Sequence, residues 1–160
     1  MNRVQRSNRA AKTKSIAASA EISPSRPSVD SPGDGPNTGM IIYIVDDERI
    51  IGEVLEILLQ RAGFQSKLFE NPKMALMDFH ATHSKPALLL TDFDMDSMNG
   101  MELIENFKRT QPDVRTILLS GNGRDNFTSG YSVKPDRFIS KPFEPNALIE
   151  TIRSVIQEHI

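Results

Sequence analysis

From Met40 onward the hydrophobic period switches back and forth between two regular kinds. Met40 to Val45 is an unbroken apolar run of strand length. Ile51, Val54, Leu55 and Leu58 then recur at i, i+3, i+4 and i+7, which predicts one inward face of a helix that stops at Gly63. A short second strand is expected over Gln65 to Phe69. Asn71 and Pro72 offer a cap and a first-turn proline to a second helix, with Ala75, Leu76 and Phe79 inward and an end before Pro86. Ala87 to Thr91 reads as strand three, apolar enough for a central strand covered on both faces. A third helix from about Gly100 to Arg109 points Leu103, Ile104 and Phe107 inward, and Thr116 to Ser120 reads as strand four. Residues 124–133 place Phe127 and Tyr131 one helical turn apart but include Gly130 and precede Pro135, so a fourth helix there is expected to be short or irregular. Arg137 to Ser140 is strand five. Pro145 opens a last helix with Leu148, Ile152, Val155 and Ile156 inward.

Five strands alternating with five helices through short loops predict a doubly wound α/β fold with a parallel sheet and right-handed crossovers. Periodicity does not fix the order of the strands.

Composition narrows this picture. The 160 residues, 38% hydrophobic and 25% charged, suit one small domain plus a tail. Absence of cysteine excludes disulfides and thiolate metal sites. No apolar run approaches the ~20 residues that span a bilayer. The net charge of −2 conceals an asymmetry: residues 1–39 carry six Lys or Arg against three acids, and residues 40–160 carry thirteen against eighteen. Residues 1–39, with no aromatics and a Ser/Pro/Gly-rich second half, cannot bury enough surface to offset their ordering entropy and are expected to form a disordered basic tail. A nucleic-acid or membrane arm, a transit peptide and a true translation start at Met40 compete for that tail; an inert or non-native extension is favoured.

The candidate chemistry lies where the apolar runs end. Asp46 and Asp47 follow IIYIV, Asp92 follows ALLLT, Ser120 follows TILL and Lys141 follows FIS. If these runs are parallel strands of one sheet, their carboxyl ends bring three carboxylates, a hydroxyl and an amine around one crevice. Carboxylate oxygens suit Mg²⁺, and an ammonium with a hydroxyl suits phosphate oxygens. Taken singly, each residue has a plainer role: a solvated strand-end acid, a surface lysine, a serine that caps a helix.

The segments IIYIVDDE, LLLTDFDM with Met98 and Gly100 beyond it, ILLSG and FISKPF together resemble the response-regulator receiver domains of two-component signalling, over Met40 to Ile160. The resemblance implies a flavodoxin-like sheet of order 2-1-3-4-5. It makes Asp92 the phosphoacceptor, with Asp47 and Asp92 holding Mg²⁺ directly, the backbone carbonyl of Asp94 as a third ligand, and Asp46 acting through a water. Lys141 would pair with the aspartate at rest and with phosphoryl oxygens after transfer, and Pro142 after it matches a pair often joined in cis. Ser120 would bond the phosphoryl group and draw the loop 121–126 with it, and Phe138 would be the switch aromatic, unless it is simply core. The signal would be read on the surface of the fourth helix, fifth strand and last helix. Departures are Asp96, where the family usually has proline, and the acidic Asp94, a modulator that could orient attacking water or repel anionic donors.

Two other classes compete. LLLTDFDMD also resembles the haloacid-dehalogenase phosphatase motif, a turnover enzyme, but the acidic pair here lies upstream of the lysine, and only isolated Glu144, Glu150 and Glu158 follow it. Alternatively the chain is a receiver-like interaction module that is never phosphorylated. A calcium loop starting at Asp92, Asp94 and Asp96 fails at Ser97 and Leu103, which stand where glycine and glutamate belong. His80, His83 and His159 form no coherent metal set and read as surface residues. The expectation is therefore a cytoplasmic single-domain response regulator, not an enzyme beyond self phosphoryl transfer and autodephosphorylation. It would take its phosphoryl group from a histidine kinase or histidine phosphotransfer protein and pass the signal to a separate effector, without membrane or direct DNA binding.

Overall fold

The computed structural model describes residues 39–121 and 130–158. Five strands, β1 (Ile41–Val45), β2 (Gln65–Phe69), β3 (Leu88–Asp92), β4 (Arg115–Ser120) and β5 (Arg137–Ser140), form one parallel sheet in the order β2-β1-β3-β4-β5. Among the described residues four helices accompany it: α1 (Arg49–Arg61), α2 (Pro72–Ala81), α3 (Gly100–Thr110) and α4 (Pro145–Gln157).

The alternation of side chains along each strand sorts the core into two layers. Ile42, Ile44, Leu88, Leu90, Ile117 and Leu119 face α1 and α4, where Leu55, Leu59, Leu148, Ile152 and Val155 meet them. Tyr43, Val45, Leu89 and Leu118 face the opposite way, onto Ala75 and Phe79 of α2 and Met101, Leu103, Ile104 and Phe107 of α3. Phe79 and Phe107 stack with ring centroids 4.0 Å apart, joining the two helices of that layer. Burial on both faces explains why β1, β3 and β4 are apolar without alternation. Edge strand β2 is only partly covered.

Local signals set the helix ends. Asn71 caps α2 by accepting from the Lys73 amide, with Pro72 in the first turn. Asn99 and Glu102 form a reciprocal capping box on α3. Glu144 caps α4 ahead of Pro145. Gly63, at φ +86°, turns the chain out of α1 in a conformation that favours glycine.

One expectation needs correction, and another falls mostly outside the described residues. Val54 does not face inward: it is 48% exposed, and α1 instead buries Gly52, Leu55 and Leu59. The rotation follows from close packing, since a Cβ on Gly52 would lie 2.6 Å from Leu68 Cδ1 of β2. The expected helix over 124–133 is not found in its described part: residues 130–133 are turn and irregular chain, while Phe127 and the rest lie outside the described residues. Residues 1–38 and His159 also lie outside them. No described helix is long and apolar enough to cross a membrane.

Candidate functional site

The sheet order reverses between β1 and β3, which diverge toward β2 on one side and β4 on the other. Ligands of open α/β sheets sit at such a reversal, beyond the strand carboxyl ends. Val45 is level with Thr91, so Asp46 and Asp92 emerge side by side. Ser120 closes β4 and is buried, and its carbonyl accepts the Lys141 amide at 2.8 Å, fixing the exit of β5 beside it. The Lys141–Pro142 peptide bond is cis.

Lys141 Nζ lies 2.8 Å from Asp92 Oδ1 and 3.1 Å from Asp46 Oδ2. Asp46 is fully buried, and its Oδ1 accepts the Glu48 amide at 2.9 Å. Burial pushes the carboxyls of Asp46 and Asp92 above the usual aspartate range, despite the opposing pull of Lys141. Burial acts against the Lys141 charge as well, but the hydrogen bond to Asp92 and the attraction of both carboxylates hold the ammonium above its ordinary value. One amine thus serves two acids, and the cluster keeps an excess of negative charge.

Asp47, half-buried, completes the cluster: Asp46, Asp47 and Asp92 each place an oxygen within 4.8 Å of the others. An all-carboxylate donor set of excess negative charge fits a hard divalent cation such as Mg²⁺. Asp94 and Asp96 are exposed on the loop after β3. Phe138 lies on β5, level with Leu118 and half-buried against the α2–α3 layer of the core. His80 and His83 are exposed.

Three features of the site escaped sequence reading. The Asp96 amide donates to Asp47 Oδ2 at 2.9 Å, across 49 residues of chain. Gly100 brings the start of α3 against the phosphoacceptor candidate: a Cβ there would lie 2.2 Å from the Asp92 carbonyl oxygen and 2.6 Å from Leu118 Cδ1. Ile50 and Val54, 77% and 48% exposed, line a groove with Ile51, Lys141, Pro142 and Phe143 at the rim of the site. The glycine at position 100 was legible as a helix start, and the apolar residues outside the buried face of α1 were a signal for the groove.

Fold and site together define a doubly wound α/β protein with an acidic, cation-compatible crevice at its topological switch point. Residues 42–153 match the family model of the response regulator receiver domain, and the chain belongs to that family. It is 35% identical over 124 residues to the phosphate regulon transcriptional regulatory protein PhoB of Pseudomonas aeruginosa, covering 74% of this chain and 52% of PhoB. It is 31% identical over 125 residues to the transcriptional regulatory protein FixJ of Rhizobium meliloti, covering 77% and 59%. The chain thus spans a little over half the length of these curated relatives. Among solved structures, a CheY-like receiver domain protein from Methanospirillum hungatei superposes with a TM-score of 0.68 at 26% identity, over 74% of this chain and 94% of that one. The response regulator TrrA of Thermotoga maritima, solved in complex with Mg(2+)-BeF, gives 0.65 at 27% identity, over 72% and 98%.

Proposed function

We propose that this chain accepts a phosphoryl group on Asp92 from a phosphohistidine of a histidine kinase or histidine phosphotransfer protein, and hands the resulting conformational change to an effector protein. The observation that carries this reading is the bridge of Lys141 between Asp92 and Asp46. It holds the Asp92 carboxylate in place and keeps a positive charge where phosphoryl oxygens arrive. A carboxylate oxygen of Asp92 attacks phosphorus, the P–N bond breaks, and its electron pair leaves on the imidazole nitrogen. Lys141 turns from a ligand of the resting carboxylate into a partner of the phosphoryl oxygens, and the buried Ser120 hydroxyl is the neighbouring donor.

Asp47 and Asp92 would hold Mg²⁺ directly with the Asp94 carbonyl, and Asp46, both of whose oxygens are already hydrogen-bonded, would act through a water. When bound, the cation neutralises the carboxylates and the incoming phosphoryl charge. TrrA, solved with Mg(2+)-BeF, supports this cofactor. The exposed side chain of Asp94 is the modulator of phosphoryl lifetime, tested by comparing autodephosphorylation of the protein with that of Asp94→Asn.

The apolar groove of Ile50, Val54, Pro142 and Phe143 supports docking of the histidine donor, because it borders the Asp92 crevice and lies open to solvent. Ser120 and Phe138 are the switch pair, acting on the face formed by the segment between β4 and β5, by β5 and by α4. The expected movement of 121–126 falls almost wholly outside the described residues. Residues 40–160 are the receiver, residues 1–39 the tail, and the setting is the cytoplasm.

Incubation with acetyl phosphate and Mg²⁺ followed by intact mass tests the reading. A single labile phosphoryl adduct, absent in Asp92→Asn, supports a receiver. Sustained hydrolysis supports a phosphatase, and no adduct supports a passive module.

A further inference from the structure

Helix α2 buries Pro72, Ala75 and Phe79 on one face, and its outer face carries two large side chains that the core does not use. Met74 is 56% exposed and Met77 64%. His80 is exposed as well. The segment reads MALMDFH, which sets Met74, Met77 and His80 at i, i+3 and i+6. Residues three apart on a helix stand on adjoining turns, with Cβ atoms about 5–6 Å apart. Met77 is therefore the near neighbour of both others, and the three make one slanting row.

The donors of that row are of one kind. A thioether offers a soft, polarizable sulfur on a flexible chain, and a neutral imidazole offers a ring nitrogen. The His80 ring tilts on Phe79 with centroids 5.7 Å apart, and among the described residues no hydrogen bond or ion pair engages its nitrogens. Hard donors are missing from this face. Asp78, the one acid of α2, already accepts from Lys67 on Oδ1 and from Tyr43 on Oδ2. The chain has no cysteine, so no thiolate of its own competes for a soft ion.

We propose that Met77, with His80 and Met74 on the turns to either side, is the centre of a binding site for a soft monovalent cation, copper(I), on the outer face of α2. Thioether sulfur and imidazole nitrogen suit that ion, whereas the carboxylate oxygens of Asp46, Asp47 and Asp92 suit a hard divalent one. The two sites share no residue, and the α2 site stands independently of the phosphoryl-transfer reading. Met77 and His80 supply the first two ligands, and the Met74 sulfur adds a third.

Anaerobic titration of copper(I) into the full chain, labelled at its methionine methyl groups and followed by NMR, tests the proposal. The Met74 and Met77 methyls and the His80 ring are expected to shift together and to saturate at one equivalent. Met77 is exposed and leucine has nearly its volume, so Met77→Leu keeps the fold. In competition with bicinchoninate, Met77→Leu and His80→Gln are each expected to bind at least about ten-fold more weakly, since losing a ligand costs no less than losing its outer-shell support. Unchanged affinity in Met77→Leu would overturn the proposal. So would the absence of shifts at Met74, Met77 and His80, or shifts spread evenly over the seven methionines of the chain.

Discussion

Lys141 Nζ lies 2.8 Å from Asp92 Oδ1, so the residue after β5 grips the last residue of β3 across the end of β4. Lys141→Met keeps an unbranched side chain and removes the cation. Phosphorylation by acetyl phosphate is expected to slow on the order of a hundred-fold, the scale for losing one preorganised donor at a charged transition state. Intact mass against time measures it, and an unchanged rate would separate this lysine from the transfer.

Asp92→Asn is expected to abolish the adduct and to raise the melting temperature by a few degrees in Mg²⁺-free buffer at neutral pH. Burial raises the folded pKa of Asp92 despite Lys141. Its contribution to stability is therefore present below the ordinary aspartate value and is lost as pH rises through the folded one. At neutral pH the ionised group opposes folding, and asparagine relieves that while Lys141 keeps Asp46. A lower melting temperature would contradict this account.

Gly100→Ala inserts a methyl group 2.2 Å from the Asp92 carbonyl oxygen. Either α3 or the end of β3 must move, which is expected to cost roughly 1–3 kcal/mol, as overpacking does. Denaturant unfolding measures the loss. Because the displaced backbone carries the proposed phosphoacceptor, the rate of adduct formation is expected to fall as well.

Asp136 sits at the opposite, amino-terminal end of the sheet. It accepts from Lys108 Nζ at 3.0 Å, Arg115 at 3.2 Å, and the Thr116 amide and hydroxyl at 2.8 Å each. Burial alone would raise its pKa, but the bonds from Lys108 and Thr116 outweigh it and hold the carboxyl below the usual range. This stability is present above the ordinary aspartate value and is lost as pH falls through the depressed one. Asp136→Asn is expected to cost about 1–3 kcal/mol at neutral pH, with the gap to the unmutated protein narrowing below about pH 4. Melting curves across pH check it, and adduct formation on Asp92 should be unaffected.

Ile50→Glu places a charge in the exposed apolar groove beside Pro142 and Phe143. Transfer from a phosphorylated histidine protein is expected to fall at least about ten-fold, the scale of one central interface residue, while labelling by acetyl phosphate is retained. Parallel loss of both would point to damage inside the crevice rather than to docking.

Much of the fold was legible because the relevant signals are local. The four inward positions of α4, Leu148, Ile152, Val155 and Ile156, are all buried, and Asn71 with Pro72 starts α2 where capping chemistry requires. The face of α1 was misread at Val54 because Ile50, Ile51, Val54, Leu55, Ile57, Leu58 and Leu59 make most of its circumference apolar. Contact between Gly52 and Leu68, not hydrophobicity, sets its rotation. The groove at the rim of the crevice is the consequence.

Sequence by itself determined the five strands, the four described helices, the inward faces of α2, α3 and α4, and the acids, serine and lysine at the strand ends, since period and capping are properties of neighbours along the chain. Tertiary structure decided that Asp46 and Asp92 share Lys141, that Gly100 touches the Asp92 carbonyl, and that Asp96 donates to Asp47. The first and last of those contacts join residues at least 49 apart in the chain. Two of the three run through the main chain, whose carbonyl and, outside proline, N–H every residue carries, so no side-chain pattern can mark which one is used.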